Sequence, residues 1–523
     1  MRPLFLAPAV AARAVPRLAP IAIACGLALQ LSSAHAQNAL PADPEPAASA
    51  VPLRDLDARV RIGGEHVHLP GHERLGLVGM TELLNVGGEW WAGPGVYGAA
   101  TGKRGGLFVP GIEGAWSHPF NDRLALDAGL FAGGGGGGAA PVGGGLMLRP
   151  HLDLVFRFPG FYTGPTFSKV WFTSGQINSN QLGWMLNVDS SFRYRPADFT
   201  GVATDGSATG LGFDHVDAMV TVVHPRSSLT TTGAPLTQTI GLVGLRAERI
   251  IDGPFWAGVE TSGAAKGGVA GYAEVLGTTG LRWQVAGDWL SLGVRASAGL
   301  GGGGGIDTGG GLLLKTAAGA TLHMTDTLGL GAEVGLVDAP RGHYKAATAA
   351  LSLNWALDVP QGDLGSWSNS RPGTPTRMEF ASAVERYRAA RKTGGSEPLD
   401  AVVLQVNRFV APNFYLTGQA HSAFAGGAGA YSVGLFGVGA QLPVTARIRL
   451  GAEALGGAAG GGGVDTQGGA VLQARAYADV TLTDSLSLRV GAGKIKSVHG
   501  GLDAPVVDAA LVFSFGVDRA NKR

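Results

Sequence analysis

The sequence predicts an all-β chain closed into one large transmembrane antiparallel β-barrel of about 22 strands (18 to 24). Three observations predict it: an apolar composition without a membrane-spanning helix, three copies of a glycine-rich unit, and long stretches of strict apolar–polar alternation.

Charged residues make up 15% of the chain and Gly 87 of 523 residues, against roughly 25% and ~7% in soluble domains. So few charges do not cover the outside of a soluble protein, whereas a lipid-facing exterior removes the need. Beyond the first forty residues no stretch approaches the ~20 unbroken apolar residues of a spanning helix. Only helices and closed barrels satisfy every backbone group in lipid, which leaves the barrel. A formal net charge of +1 supplies no basic stripe, so nucleic acid is not expected as a partner.

The N-terminus sets the compartment. Arg2, Arg13 and Arg17 precede an apolar run from Leu18 to Leu31, and Ala34-His35-Ala36 places small residues at −3 and −1 of a cleavage site. This reads as a signal peptide over residues 1–36, cut near Ala36, and hence as export to the bacterial outer membrane. A lipoprotein reading of Cys25 fails on Ala22 and on the GLALQL it would leave exposed. Cys25 is the only cysteine, so disulfides and thiolate metal sites are excluded from the mature chain.

The internal repeat organises the rest. Residues 129–150, 298–315 and 455–474 each carry paired glycine clusters, the second centred near Gly144, Gly310 and Gly468, which spaces the copies by 166 and 158 residues. Trp90-Trp91, Phe255-Trp256 and Phe414-Tyr415 recur upstream, and Asp338-Ala-Pro and Asp503-Ala-Pro downstream of the second and third copies. After each cluster the apolar period is two: Leu146, Leu148, Leu152 and Leu154 oppose Arg149, His151, Asp153 and Arg157. Alternation over twelve or more residues marks a strand longer than globular ones and of membrane-spanning length. About seven such runs per copy, with Val216–His224 added, give the strand number.

The predicted division is residues 1–36 signal, 37–71 a disordered Ala/Pro-rich periplasmic lead-in, 72–235 repeat one with a connector, 236–360 repeat two, 361–400 a linker, 401–517 repeat three and 518–523 a tail. Within the linker Met378, Ala381, Val384, Tyr387 and Arg388 fall on one helical face, which predicts one short amphipathic helix.

The last run resembles the closing strand of outer-membrane β-barrel proteins. Val507, Ala509, Leu511, Phe513 and Phe515 form an apolar face opposite Asp508 and Ser514, although GVDRANKR follows the aromatic residue. The resemblance implies recognition by the barrel-insertion machinery, with the lipid bilayer and lipopolysaccharide as partners.

The chemistry is sparse. The glycine runs lack the Lys-Ser/Thr and following helix of a phosphate loop, and read as turns, bulges or close backbone approaches. Asp307-Thr308 and Asp465-Thr466 read as turn caps rather than calcium ligands, and Asp338 and Asp503 as turn residues bonding their own backbone. Ser497, His499 and Asp503 hold the residue types of a hydrolytic triad without a nucleophile elbow. The aromatic pairs read as membrane-interface anchors. Inward parity assigns Arg149, His151, Asp153, Arg157, Lys315, His323, Glu333, Arg475, Asp479, Arg489 and Asp508 to the lumen. The expected function is a porin-like pore or exporter for small solutes or polymers, since about 22 strands leave an interior that side chains do not fill. The alternatives are a surface structural or adhesive barrel with a plugged lumen, and a membrane-embedded hydrolase. Neither a cofactor nor a metal is expected.

Overall fold

A computed structural model describes residues 51–204, 209–210, 213–325, 327–357 and 373–520. The signal-peptide reading lies outside them. Among the described residues there is no α-helix; the chain is strands joined by turns, with two three-residue 3-10 turns.

Barrel one comprises β1 (Arg54–Leu69), β2 (Glu73–Gly87), β3 (Trp90–Thr101), β4 (Phe108–Pro119), β5 (Leu124–Gly134), β6 (Leu146–Phe158), β7 (Phe161–Phe172) and β8 (Asn178–Pro196). Barrel two begins with β9 (His215–Pro225). A two-residue hairpin, β10 (Ser228–Leu229) and β11 (Pro235–Leu236), decorates its first loop. It continues through β12 (Ile240–Asp252), β13 (Phe255–Lys266), β14 (Ala273–Ala286), β15 (Leu290–Gly302), β16 (Leu312–His323), β17 (Leu328–Asp338) and β18 (Lys345–Ala356). Barrel three comprises β19 (Gly373–Ala390), β20 (Ser396–Ala411), β21 (Phe414–Ala425), β22 (Ser432–Pro443), β23 (Ile448–Gly460), β24 (Ala470–Thr481), β25 (Leu486–Ser497) and β26 (Asp503–Ala520).

In each set every strand pairs antiparallel with its sequence neighbour, and the first pairs with the last: β1 with β8, β9 with β18, β19 with β26. One barrel of about 22 strands is therefore replaced by three closed barrels of eight. The miscount has one cause. Each repeat has an eighth strand, its first, and that strand carries the charges. Most of β1 lies in the segment expected to be the lead-in, β9 is the run added to the seven per copy, and β19 is the segment expected to be a helix. Glu379 and Glu385 decide β19: they share a face at period two but not at 3.6 residues per turn, and both are buried. The division at 72–235, 236–360 and 401–517 accordingly shifts to 54–196, 215–356 and 373–520.

Eight strands per unit also settle the parity of the loops. All barrel termini lie at one end, where the hairpins within each barrel are two to four residues long, as at 88–89, 253–254 and 412–413. All three glycine-rich connections, 135–145, 303–311 and 461–469, lie at the other end. Outward side chains along the strands are apolar and exposed, Leu182 by 74%, Leu351 by 69% and Val334 by 66%. Three contiguous belts of this kind are tolerable in lipid and not in water.

Barrels one and three also touch at the terminal end. There β8 and β26 pair through Arg195 and Pro196 with Gly516 and Phe515, Arg195 binds Asp518 at 3.1 Å, and Phe192, Tyr194, Phe513 and Phe515 pack together. Phe515, expected on a lipid-facing strand end, is thus buried against barrel one.

Candidate functional site in the lumens and the glycine seam

An eight-stranded barrel has an interior just wide enough for side chains to fill, and here the filling is ionic. Arg149 and Arg489 are among the largest fully buried side chains of the molecule. In barrel three Arg489 grips Asp479 through two bonds of 2.7 and 2.9 Å and reaches Glu379 at 2.8 Å, with its guanidinium 4.0 Å above the Tyr477 ring. Arg475 bonds Glu453 at 2.7 Å and Asp508 at 3.0 Å. In barrel one Arg149 holds Glu65 at 2.8 Å and Arg61 holds Asp153 at 2.6 Å, while His151 lies between Asp153 and Glu113 at 3.1 and 3.3 Å. In barrel two Lys315 meets Glu260 at 2.5 Å and Glu274 at 3.1 Å, and Glu333 is shared by Arg246 at 2.8 Å and Arg295 at 2.9 Å.

The eleven residues assigned to the lumen all have inward parity. Nine join these lattices. The other two sit nearer the terminal rim: Arg157 over the Tyr162 ring at 5.4 Å and His323 against the Ser291 hydroxyl at 3.0 Å. The structure adds partners that the strand miscount concealed, Arg59, Arg61 and Glu65 on β1 and Glu379 and Glu385 on β19. Period-two alternation through those segments was the available signal. Identity varies between copies while pairing persists: Arg149, Lys315 and Gln473 occupy the equivalent position, bonded to Glu65, Glu260 and Glu385. A donor to a buried carboxylate is what the position supplies, a cation in two copies and an amide in the third, because a buried carboxylate without a partner is expensive.

Toward the loop end each lumen turns apolar. Val67, Leu75, Phe131 and Met147 close barrel one, Leu242, Leu276, Leu313 and Tyr344 barrel two, and Leu399, Leu435, Val471 and Ile495 barrel three. The glycine-rich connections complete these plugs. Ile306 and Val464 enter the mouths of their barrels, and Ala140 packs on the equivalent plug of barrel one. The three loops share one hydrogen-bond skeleton: Ala140, Ile306 and Val464 donate to Gly137, Gly303 and Gly461, and Gly145, Gly311 and Gly469 donate to Val142, Thr308 and Thr466. Pro141-Val142 of the first copy thus aligns with Asp307-Thr308 and Asp465-Thr466. Asp307 caps its own turn by accepting from the Gly309 amide at 3.0 Å, whereas Asp465 accepts from Gly501, in the loop between β25 and β26, at 3.0 Å and so ties two loops together. Asp338 and Asp503 do not bond their own backbone; they pair with Lys345 and Lys494 across neighbouring strands. Ser497 is buried and donates to the Leu502 carbonyl, while Asp503 is held by Lys494, so the triad residues are not brought together. Of each aromatic pair only the first residue faces outward; Trp91 and Trp256 lie inside beneath Arg59 and Arg246, and Tyr415 bonds Glu453.

The same glycines form the seam between barrels. The Gly105 amide donates across it to the Gly309 carbonyl at 3.1 Å, and Gly429 donates to Gly143 at 3.0 Å. At the third seam a Cβ on Gly271 would lie 2.9 Å from the Gly461 nitrogen. Each barrel's loop between its third and fourth strands thus meets the glycine-rich loop of the next barrel, one to two, two to three, three to one. A heterologous contact of this kind closes into a ring after three steps. Cross-barrel backbone contact requires that neither side carry a Cβ: on Gly302 it would lie 2.5 Å from the Gly105 carbonyl carbon.

No family model matches this chain, and no curated protein matches it. It is similar to a de novo designed transmembrane β-barrel, 13% identical, over 27% of this chain and 97% of that one, at a TM-score of 0.20. It is similar to the ferric enterobactin receptor of Pseudomonas aeruginosa in complex with BCV-L6, 9% identical, over 88% of this chain and 81% of that one, at 0.27. With OpdQ of Pseudomonas aeruginosa the identity is 10%, the coverage 88% and 98%, and the TM-score 0.21.

Proposed function

We propose that this chain is a non-conducting outer-membrane platform: three sealed barrels held in a ring, presenting their glycine-rich loops outside the cell. The observation that carries the reading is the filling of each lumen, an ion-pair lattice topped by an apolar plug. A pore was expected because a barrel of about 22 strands is too wide to fill; at eight strands that premise is gone. Between Arg246, Arg282, Arg295 and Glu333 of barrel two there is a cavity of about 30 Å³, space for water-sized molecules only. The apolar belts, the even strand number and the common end of all barrel termini support insertion in an outer membrane with the short turns periplasmic.

Purified protein that migrates as a heat-modifiable band, reconstituted in a planar bilayer, is expected to give no conductance steps above the bare membrane. Sustained single-channel conductance would overturn the sealed-lumen reading. Orientation is tested separately. The only native cysteine is Cys25, so single cysteines report cleanly. Thr232→Cys, in the first loop of barrel two, is expected to react in intact cells with a membrane-impermeant maleimide. Asp122→Cys, in a terminal-end turn, is expected to react only after lysis, and the reverse pattern would invert the topology.

A further inference from the structure

The outward face of barrel three changes character near the loop end. On β25 Leu488, Val490 and Ala492 are followed, at unchanged parity, by Lys494 and Lys496; on β19 Phe380, Ser382 and Val384 are followed by Arg386 and Arg388. These strands flank β26, where Lys494 stands opposite Pro505 and Arg386 opposite Val507. With neighbouring strands ≈ 4.8 Å apart, the two basic pairs face each other across roughly 10 Å. Lys494 and Lys496 are 60% and 64% exposed.

The local carboxylates do not balance them. Asp400 takes Arg386 in a two-bond pair, and Asp503 holds Lys494 at 2.6 Å with Lys496 at 4.0 Å. Arg388 donates to the Ser396 carbonyl at 2.7 Å and has no carboxylate partner among the described residues. Four cations therefore face two carboxylates, directly above the exposed Leu488, Val490 and Val507. The matching ligand has acyl chains for the lower half and anionic groups for the upper. In barrel two the equivalent face has Lys345 beside Asp338 and Arg226 next to Lys345, two cations to one carboxylate, a surplus of one against the two of barrel three.

We propose that β25, β26 and β19 form a binding site for a phosphate-bearing acylated lipid of the outer leaflet, the lipid A portion of lipopolysaccharide. Lys496, Lys494 and Arg388 meet the phosphates and Val490 and Val507 the chains. Cationic side chains at a membrane surface gain from anionic headgroups in this way. The site rests on the outer-membrane orientation above, and the cysteine-labelling test can refute that orientation independently.

The test is retention of lipid A by the full mature protein in detergent, read by native mass spectrometry. The wild type is expected to retain it, and R388Q/K494Q/K496Q to lose retention by about tenfold or more. K345Q is expected to behave as wild type, as is the charge-preserving K494R/K496R; heat-modifiable migration verifies that each variant is folded. Retention by the triple variant equal to wild type, or equal retention of fully dephosphorylated lipid A, would overturn the site. Equal retention of phosphatidylglycerol would overturn the choice of lipid.

Discussion

Gly106→Ala lowers the thermal midpoint of the heat-modifiable band by several degrees more than Gly305→Ala. Both glycines have positive φ, +90° and +78°, so both substitutions incur a similar left-handed strain of about 1–2 kcal/mol. Only Gly106 lies in the seam. A Cβ there would overlap the Gly303 nitrogen and the Gly302 carbonyl of barrel two, whereas a Cβ on Gly305 meets nothing within 4 Å. Backbone on both sides leaves nothing to swing aside, so the overlap adds the ~1–3 kcal/mol of overpacking. Equal losses for the two variants would show that the seam contributes nothing and that the glycine runs are turn chemistry alone.

Arg489→Met is expected to be the most damaging single change in barrel three. It leaves the wholly buried Asp479 with only the Gln441 amide and takes from Glu379, which keeps Arg377, its second cation, a loss of about 3–5 kcal/mol. The exposed pair of Arg193 with Asp55, at 3.0 Å and half accessible on both sides, is the comparison; Arg193→Met is expected to cost under ~1 kcal/mol. Removing the stranded charge as well, in R489M/D479N, is expected to recover a large part of the loss, because the penalty lies in the carboxylate left without a cation. Unfolding midpoints in urea, followed by band shift, check all three. A double variant no more stable than Arg489→Met would sink the charge-pairing account and leave packing as the cause.

Much of this was readable from the chain. The three copies, the period of two and the membrane-facing exterior follow from residues a few positions apart, and inward parity at Arg149, Lys315 or Arg475 needs only the local alternation. The strand number was not readable. β1 (RDLDARVRIGGEHVHL) and β19 (RMEFASAVERYRAA in its body) place ions on their inner faces, and such segments lose the apolar signal by which strands are found. Their partners are also remote: Glu65 with Arg149 and Glu379 with Arg489, so nothing nearby marks those charges as paired.

The glycine runs show the division best. By itself the sequence determined that residues without side chains recur three times between strands, that phosphate-loop chemistry is absent, and that the outside of the fold belongs in lipid. Only the tertiary structure decided between one wide barrel and three narrow ones, because closure depends on which strand pairs with the first, a choice made over more than a hundred residues of separation. It also decided what the glycines are for. A missing Cβ permits a sharp turn and a close approach equally, and only the neighbouring barrel, brought to within backbone contact, distinguishes the two.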